Sequence, residues 1–147
     1  MPNIKYTNDN MRYETITLII LFVALPACSG PDQHLQKMAR EIYSQKTWEP
    51  PLPPKEFKSD GCSCWPDNDW LECCIEHDTI YWLGGTSEER KKADLALQEC
   101  VSQKDHPIMG RVMYYGVRLG AVPWLPTPFR WGFGWKYPQS GPPGKQY

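Results

Sequence analysis

Two adjacent cysteines, Cys73 and Cys74, restrict the fold of this chain more than any other feature of its sequence. They lie between Trp70 and Leu83, a stretch whose pattern predicts a helix ended by the Gly84-Gly85 pair. Because neighbouring residues on a helix point about 100° apart, the two thiols must take different partners. Cys73 can cross-link to a second helix, while Cys74 can reach the loop that precedes its own helix.

A second helical pattern follows, and it carries Asp94 and Cys100 on one stripe. The first helix carries His77 on the same broad stripe as its cysteines. Packed antiparallel, the two helices would bring Asp94 toward His77 and Cys100 toward Cys73. The sequence therefore predicts a stapled helix pair with an imidazole and a carboxylate between the helices.

The other segments are short helices joined by loops. The 147 residues suggest a single domain, and cross-links would help a core of this size. No convincing β alternation is present, so we expect a small all-α domain stapled by disulfides. We expect first a helix capped by Asp32 with apolar positions from Leu35 to Tyr43, then a stiff proline-rich connector at residues 49–54 and a turn-rich loop from Phe57 to Asp69. After the cysteine-bearing helix, a capping box at Thr86 and Glu89 opens a helix that runs to about Val101. A last helical face extends from Met109 to Gly120, and its Gly116 and Gly120 would allow close backbone approach.

The N-terminus has the pattern of an export signal. Thr15–Ala27 is an apolar run that is too short for a comfortable membrane span and suits a signal-peptide core, and a start at Met11 would give it a short charged head. The residues LPAC ending at Cys28 resemble the bacterial lipoprotein box, in which the cysteine is lipidated and becomes residue one. An ordinary cleaved signal that leaves Cys28 as a thiol is the alternative. Either signal would bring the chain to a compartment in which disulfides form.

Three interpretations of the central residues compete. His77 and Asp94 would be buried structural groups in the first, the common role of a histidine on an apolar face. In the second, His77 and the cysteines from Cys62 to Cys74 would hold zinc, but Cys-x-Cys followed by Cys-Cys is poor spacing for a thiolate site. In the third, His77 is a general base oriented by Asp94, Asp78 binds a hard cation, and water is the nucleophile.

The third interpretation coincides with a family pattern. Asp60-Gly61-Cys62, then Cys73-Cys74-Ile75-Glu76-His77-Asp78 with Tyr81, then Asp94 with Cys100, resembles secreted phospholipase A2. The compact loop through Pro66-Asp67-Asn68 is similar to the bacterial branch of that family. The resemblance covers residues 57–101. The double cysteine, His-Asp pair and tyrosine together are specific, whereas Asp-Gly-Cys alone is a weak signal.

The resemblance implies calcium-dependent hydrolysis of the sn-2 ester of a glycerophospholipid. It implies that His77 takes the proton from the attacking water and that Asp94 fixes the imidazole tautomer and stabilises the imidazolium. Tyr81 would hydrogen-bond Asp94. The ligands that the resemblance implies for Ca²⁺ are oxygen atoms, which suit this ion: the Asp78 carboxylate, Asp60 and the Gly61 carbonyl.

Two disulfides are expected within this region. One is Cys73–Cys100, and the other is either Cys62–Cys74, which we prefer, or Cys64–Cys74.

The loop that precedes the double cysteine departs from the animal enzymes of the family, because Ser-Cys-Trp-Pro at residues 63–66 stands where those enzymes carry a glycine-rich calcium loop. A catalytically silent envelope lipoprotein that uses the same scaffold for binding or structure is therefore the alternative function.

The C-terminal region from Pro123 onward is rich in proline, glycine and aromatic residues and has no periodicity. Its aromatic side chains would either lie at a membrane interface, which Trp and Tyr favour, or pack over the helices. The side chains concerned are Trp124, Phe129, Trp131, Phe133, Trp135 and Tyr137.

The sequence thus predicts a signal segment at residues 1–28, a helix and proline-rich connector at residues 29–56, and a phospholipase A2-like domain with an aromatic tail at residues 57–147. The net charge of −1 gives no reason to expect a nucleic-acid partner. The expected partners are phospholipid and, through a lipid anchor on Cys28, a membrane surface. Ser29 rather than aspartate after this cysteine favours the outer membrane of a bacterial envelope.

Overall fold

The computed structural model of the protein describes residues 33–63 and 65–147. These residues form four helices and no strand, which confirms the prediction of a small all-α domain stapled by disulfides. The expected cap Asp32 and the signal segment lie outside the described residues. The helices are α1 Gln33–Ser44, α2 Leu71–Leu83, α3 Ser87–Gln103 and α4 Pro107–Gly120.

The helices α2 and α3 pack antiparallel, as expected. The Cys73–Cys100 disulfide joins the start of α2 to the end of α3, with a Cα–Cα distance of 5.8 Å. One turn further along α2, His77 contacts Asp94 on α3. Contacts that advance along one helix and retreat along the other establish the antiparallel arrangement. The sequence spacing of four residues on α2 and six on α3 therefore places these functional groups side by side.

The boundary between α2 and α3 follows the expected local signals. Gly84 ends α2 with a φ of 65°, a left-handed conformation that glycine adopts without steric cost. The capping box at the start of α3 is formed: the Glu89 N–H donates to Thr86 Oγ1 at 3.2 Å, and the Thr86 N–H donates to Glu89 Oε2 at 2.9 Å. These reciprocal bonds satisfy donors that a helix start leaves open. The turn is therefore tight, which keeps the two helices in direct contact.

The helix α4 packs antiparallel on α3 and closes the other side of the helix pair. Near its start, a Cβ on Gly110 would lie 2.6 Å from the Gln98 carbonyl oxygen, so only glycine permits this approach. Near its end, the Arg90 guanidinium donates to the carbonyl oxygens of Val117 and Arg118, each at 2.9 Å. A cation at the carboxyl end of a helix also opposes the negative end of its dipole.

The helix α1 and the connector after it pack on the opposite side of α2. Leu35, Ala39 and Ile42 are buried, as their helical spacing predicts. They form one apolar cluster with the buried residues Phe57, Ile75 and Trp82.

The aromatic tail packs over the carboxyl end of α2. The indole N–H of Trp131 donates to the Gly85 carbonyl oxygen at 2.8 Å, and that of Trp135 donates to the Leu83 carbonyl oxygen at 2.6 Å. Trp131 is completely buried. Helix ends leave carbonyl groups without helical partners, so the tail completes hydrogen bonds that α2 lacks. The exposed aromatic side chains of the tail are Trp124, Tyr137 and Tyr147.

Candidate active site

An imidazole and a carboxylate face each other between α2 and α3. His77 Nε2 lies 3.0 Å from Asp94 Oδ1, and both side chains are buried. Because a carboxylate oxygen only accepts, the hydrogen of the neutral imidazole lies on Nε2. The other ring nitrogen, Nδ1, makes no hydrogen bond to any described residue. The ring is thus arranged as an acceptor at Nδ1, the property that a general base requires.

Three side chains converge on the Asp94 carboxylate. Besides His77, the Tyr81 hydroxyl donates to Oδ1 at 2.7 Å and Arg118 Nη1 donates to Oδ2 at 2.9 Å. Burial favours the neutral acid, but the hydrogen bonds from His77, Tyr81 and Arg118 outweigh it and hold the pKa of Asp94 below its ordinary value. Asp94 is therefore an ionised and fixed partner for the imidazole.

Two arginines extend this network beyond the residues that the sequence singled out. Arg90 is 1 % exposed, and its Nε donates to the Tyr81 hydroxyl at 3.1 Å. Burial, with the charge of Asp94 adding to it, raises the pKa of Tyr81 above its usual range, so the hydroxyl remains a donor. Arg90 was recognisable as an arginine on the apolar stripe of α3. Arg118 carried no such signal, because its contact depends on how α4 docks on α3.

The expected cation ligand Asp78 follows His77 on α2, and its side chain contacts the loop that precedes the helix. Ser59 Oγ donates to Asp78 Oδ2 at 2.5 Å, and the Gly61 N–H donates to Ser59 Oγ at 3.1 Å. Gly61 has a φ of +76°, and a Cβ there would lie 2.6 Å from Asp67 Oδ1, so the loop requires glycine. Asp67 holds the loop by accepting from the Cys62 N–H at 3.0 Å.

The electrostatic environment of Asp78 is the opposite of that of Asp94. Burial raises the pKa of Asp78 well above its ordinary value, and the charges of Asp60 and Asp67 raise it further, against the hydrogen bond from Ser59. A bound cation would relieve this accumulation of negative charge. The residues present therefore fit the donor chemistry of calcium, with hard oxygen atoms from Asp60, Asp78 and the Gly61 carbonyl. Among the described residues, no three His, Cys, Asp or Glu side chains are grouped so as to hold a metal ion.

A cavity of about 350 Å³ opens beside His77 and Asp78. Gly116 and Gly120 of α4 were expected to allow another backbone to approach closely, but they border open space instead. A Cβ on Gly116 would meet only the Trp65 ring, at 3.5 Å, and one on Gly120 would meet nothing within 4 Å. The expectation was wrong for these two glycines because, within the described part of the chain, no backbone from another segment lies within 4 Å of either Cβ position. The missing side chains enlarge the cavity instead. Its apolar lining includes Trp65, Leu97, Met113, Val117, Ala121 and Phe129.

The second disulfide, Cys62–Cys74, ties the loop to α2 with a Cα–Cα distance of 5.0 Å. It is the pairing that we preferred for Cys74 from the sequence, and the expected Cys73–Cys100 bond is also present. Since Cys62, Cys73 and Cys74 are all in disulfides, the zinc interpretation is wrong. Cys64 and the expected lipidation residue Cys28 lie outside the described residues.

Comparison with known proteins identifies no relative, so a function can be assigned only from the residues of the site. The chain matches no protein-family model, no curated protein and no solved structure. Within residues 33–63 and 65–147, none of the helices combines the length and apolar character needed to cross a membrane.

Proposed function

We propose that the protein hydrolyses the sn-2 ester of glycerophospholipids with the help of calcium. The observation that carries the proposal is the buried His77–Asp94 pair, with the imidazole bonded through Nε2 and bordering an apolar cavity beside Asp78. A scaffold role needs neither an acceptor nitrogen at a cavity wall nor an uncompensated carboxylate next to it. The resemblance of this segment to secreted phospholipase A2 points to the same chemistry.

The residues support a single-base reaction. Nδ1 of His77 takes a proton from a water molecule whose oxygen forms a bond to the ester carbonyl carbon. Asp94 stabilises the imidazolium that forms, and Tyr81 and Arg118 hold Asp94 in place. The imidazolium then returns the proton to the leaving alcohol oxygen as the ester C–O bond breaks. The products are a fatty acid and a lysophospholipid, and His77 is again neutral.

The proposed calcium ligands are Asp60, Asp78 and the Gly61 carbonyl. When bound there, the ion would act as a Lewis acid for the substrate phosphate and for negative charge that develops on the ester oxygen. This proposal is supported by the raised pKa of Asp78, which burial and the neighbouring charges of Asp60 and Asp67 produce. Asp78 and Gly61 also border the cavity that His77 lines.

The cavity supports a substrate with an apolar chain. Apart from His77 and Asp78, its walls come mainly from apolar side chains of the loop before α2, of the helices α2, α3 and α4, and of the segment after α4. An acyl chain that enters between them would be removed from water, which favours binding in proportion to its buried area. Asp78 also borders a second cavity of about 340 Å³ that contains Lys55 and Lys58. A polar headgroup on that side of Asp78 would keep the ester between the two cavities.

The second candidate function is a catalytically silent lipoprotein on the same scaffold. The loop favours it, since Ser63 and Trp65 stand in a segment that the animal enzymes fill with glycines. We also infer that the chain is exported and lipid-anchored through Cys28 in either case. The two functions differ only in whether the site turns over substrate.

Hydrolysis of phospholipid vesicles by the purified chain tests the proposal. Calcium should start the release of fatty acid from the sn-2 position, and a chelator should stop it. His77→Gln should lower the rate on the order of 10²–10⁴-fold, the usual contribution of a positioned general base. His106→Gln is the matched control, because this half-exposed histidine lies at the start of α4 and pairs with Asp69 instead. Wild-type protein without calcium-stimulated hydrolysis of any common phospholipid would leave the silent lipoprotein as the remaining candidate.

A further inference from the structure

The outer face of α4 carries a line of exposed apolar side chains. Ile108, Val112, Tyr115 and Leu119 are 79 %, 43 %, 64 % and 77 % exposed. They follow one another at intervals of four, three and four residues, which places them on a single stripe of the helix. Single exposed apolar residues are normal on a protein surface, but a continuous exposed patch marks a binding surface.

Two more apolar side chains are exposed just after the end of the helix. Trp124 and Leu125 follow α4 and are 60 % and 40 % exposed. The Trp124 carbonyl oxygen accepts from the Tyr137 hydroxyl at 3.2 Å, and the Trp124 ring packs against the ring of Tyr147. The tail therefore holds Trp124 outward as part of an ordered surface. Tryptophan and tyrosine at the border of an apolar patch are typical of groups that lie at a lipid headgroup layer.

The charge around this surface is positive. Residues 107–147 contain five Lys and Arg residues and no Asp or Glu, in a chain with a net charge of −1. Of these five, Arg118 and Lys145 are paired with Asp94 and Glu89, and Arg130 is buried and donates to backbone carbonyl oxygens. Arg111 is exposed on α4 and forms no ion pair within the described part of the chain. A helix with an apolar stripe, an exposed arginine beside it and no acidic residue has the composition of a helix that lies on an anionic lipid surface.

We propose that α4 docks on anionic phospholipid through the stripe formed by Ile108, Val112, Tyr115 and Leu119, with Trp124 at its edge. The position of the cavity agrees with this orientation. Gly116 lines the cavity and lies four residues after Val112 and three before Leu119, so on the helix surface the cavity borders the stripe. The inference deepens the proposed function, because a lipid under this face is next to the cavity. Docking itself requires no hydrolysis.

Trp124 provides the measurement. The full chain is mixed with phosphatidylglycerol vesicles that contain phospholipid brominated in the acyl chains, with chelator present so that calcium-dependent hydrolysis does not proceed. Bromine quenches tryptophan that enters the lipid, and Trp124→Phe identifies the part of the quenching that this residue contributes. Quenching by Trp124 is a local signal, so it reports the docked face even if the N-terminal segment also holds the chain at the vesicle. The same experiment with phosphatidylcholine vesicles separates charge from apolar contact.

The variant Ile108→Glu with Leu119→Glu removes the two most exposed members of the stripe. Quenching of Trp124 should be lost in this variant. Its affinity for phosphatidylglycerol vesicles should fall on the order of tenfold or more relative to the wild type, when both proteins also carry Cys28→Ser. The matched control is Leu52→Glu with Leu95→Glu, which makes the same charge change at exposed leucines outside α4. Arg111→Gln should weaken binding to phosphatidylglycerol about fivefold, the effect of one cation near an anionic surface.

Three outcomes would overturn the proposal: wild-type protein without Trp124 quenching, equal quenching in the α4 variant and its control, or a solution dimer that only the α4 variant disrupts. The last outcome would assign the face to a second copy of the chain. Quenching without any hydrolysis would support docking and reject the proposed reaction. Hydrolysis of short-chain monomeric phospholipid without quenching would do the reverse.

Discussion

The two buried carboxylates of the site differ in what surrounds them, and this difference separates their roles. Asp94 accepts from His77, Tyr81 and Arg118, so its charge is compensated within the protein. Asp78 accepts from the neutral Ser59 hydroxyl and lies near two further carboxylates. A compensated carboxylate can orient an imidazole, whereas an uncompensated one attracts a cation. The surroundings of the two aspartates therefore fit the two different roles proposed for them, Asp94 as the partner of His77 and Asp78 as a calcium ligand.

Arg118 is expected to position Asp94 without touching the substrate. Replacing it by glutamine should lower kcat about tenfold, the scale of one charge-assisted hydrogen bond, and leave KM nearly unchanged. Arg118→Lys should restore part of the rate, because it restores the charge but not the planar geometry. Steady-state kinetics of both variants test this. A loss that appears in KM, or lysine no better than glutamine, would contradict a positioning role.

The same variant should also change stability at acid pH. The pKa of Asp94 is lower in the folded protein, so its ionised form stabilises the fold at pH values above about 4, the ordinary pKa of an unfolded aspartate. That contribution is lost as the pH falls through the lowered pKa. Since Arg118 is one of the groups that lower it, Arg118→Gln should shift acid unfolding to higher pH. Circular dichroism across a pH series measures the shift, and Arg111→Gln is the control on the same helix.

Asp78 should cost stability when no cation is bound. Asp78→Asn removes a buried charge while keeping an acceptor for Ser59, so in chelator at neutral pH its Tm should exceed that of the wild type. Calcium should raise the Tm of the wild type and not that of the variant. Thermal unfolding with and without calcium compares them. Equal responses to calcium would remove Asp78 from the proposed ligands.

The sequence predicted three members of the site on α2 and α3, because the registers of both helices follow from their own periodicity. His77, Asp94 and Tyr81 meet as the antiparallel pairing requires. Arg118 and Ser59 were not predicted. Arg118 depends on how α4 docks on α3, and Ser59 depends on a loop conformation that the left-handed Gly61 permits. Neither depends on a repeating pattern that a single sequence displays.

At the scale of helices and loops, the two disulfides should contribute unequally to the free energy of unfolding. The Cys73–Cys100 bond spans 27 residues and Cys62–Cys74 spans 12, and longer closed loops restrict the unfolded chain more. Replacing both members of a pair by alanine should cost about 2–4 kcal/mol, with the larger loss for Cys73–Cys100. Urea unfolding gives both values. Loss of Cys62–Cys74 should in addition weaken calcium binding, because that bond fixes the loop of Gly61.

The face of α4 toward the cavity should determine which acyl chains fit. Gly116→Leu would place a side chain in the space beyond the Trp65 ring, and hydrolysis of long-chain substrates should fall about tenfold relative to short-chain ones. Gly116→Ala is the control, because its Cβ makes an ordinary contact at 3.5 Å and alanine favours the helix. Competing substrates of different chain length in one assay give the ratio. An unchanged ratio for Gly116→Leu would place the acyl chain elsewhere.

At the scale of the whole molecule, the cavity, the proposed calcium ligands and the exposed α4 stripe border one another. α2 supplies His77 and Asp78, while α4 supplies part of the cavity wall and the surface beside it. The sequence left the tail open between a membrane interface and a cover, and the structure shows part of it as a cover. Trp131 and Trp135 are buried against α2, and Trp124 remains outside. Composition could not separate these three tryptophans, because their burial depends on hydrogen bonds to the end of α2.

The proposed lipid anchor belongs to this same scale, because it would determine where the molecule meets a phospholipid substrate. If Cys28 is lipidated, Cys28→Ser should release the protein from the membrane fraction without preventing the fold, since the described domain contains its own two disulfides. Fractionation of cells that express either form, followed by detection of the protein, tests this. Ser29→Asp should redirect an anchored form from the outer to the inner membrane of a double-membrane bacterium. Cys28→Ser with unchanged fractionation would favour an ordinary cleaved signal, and the α4 stripe would then have to hold the protein at the lipid surface without an anchor.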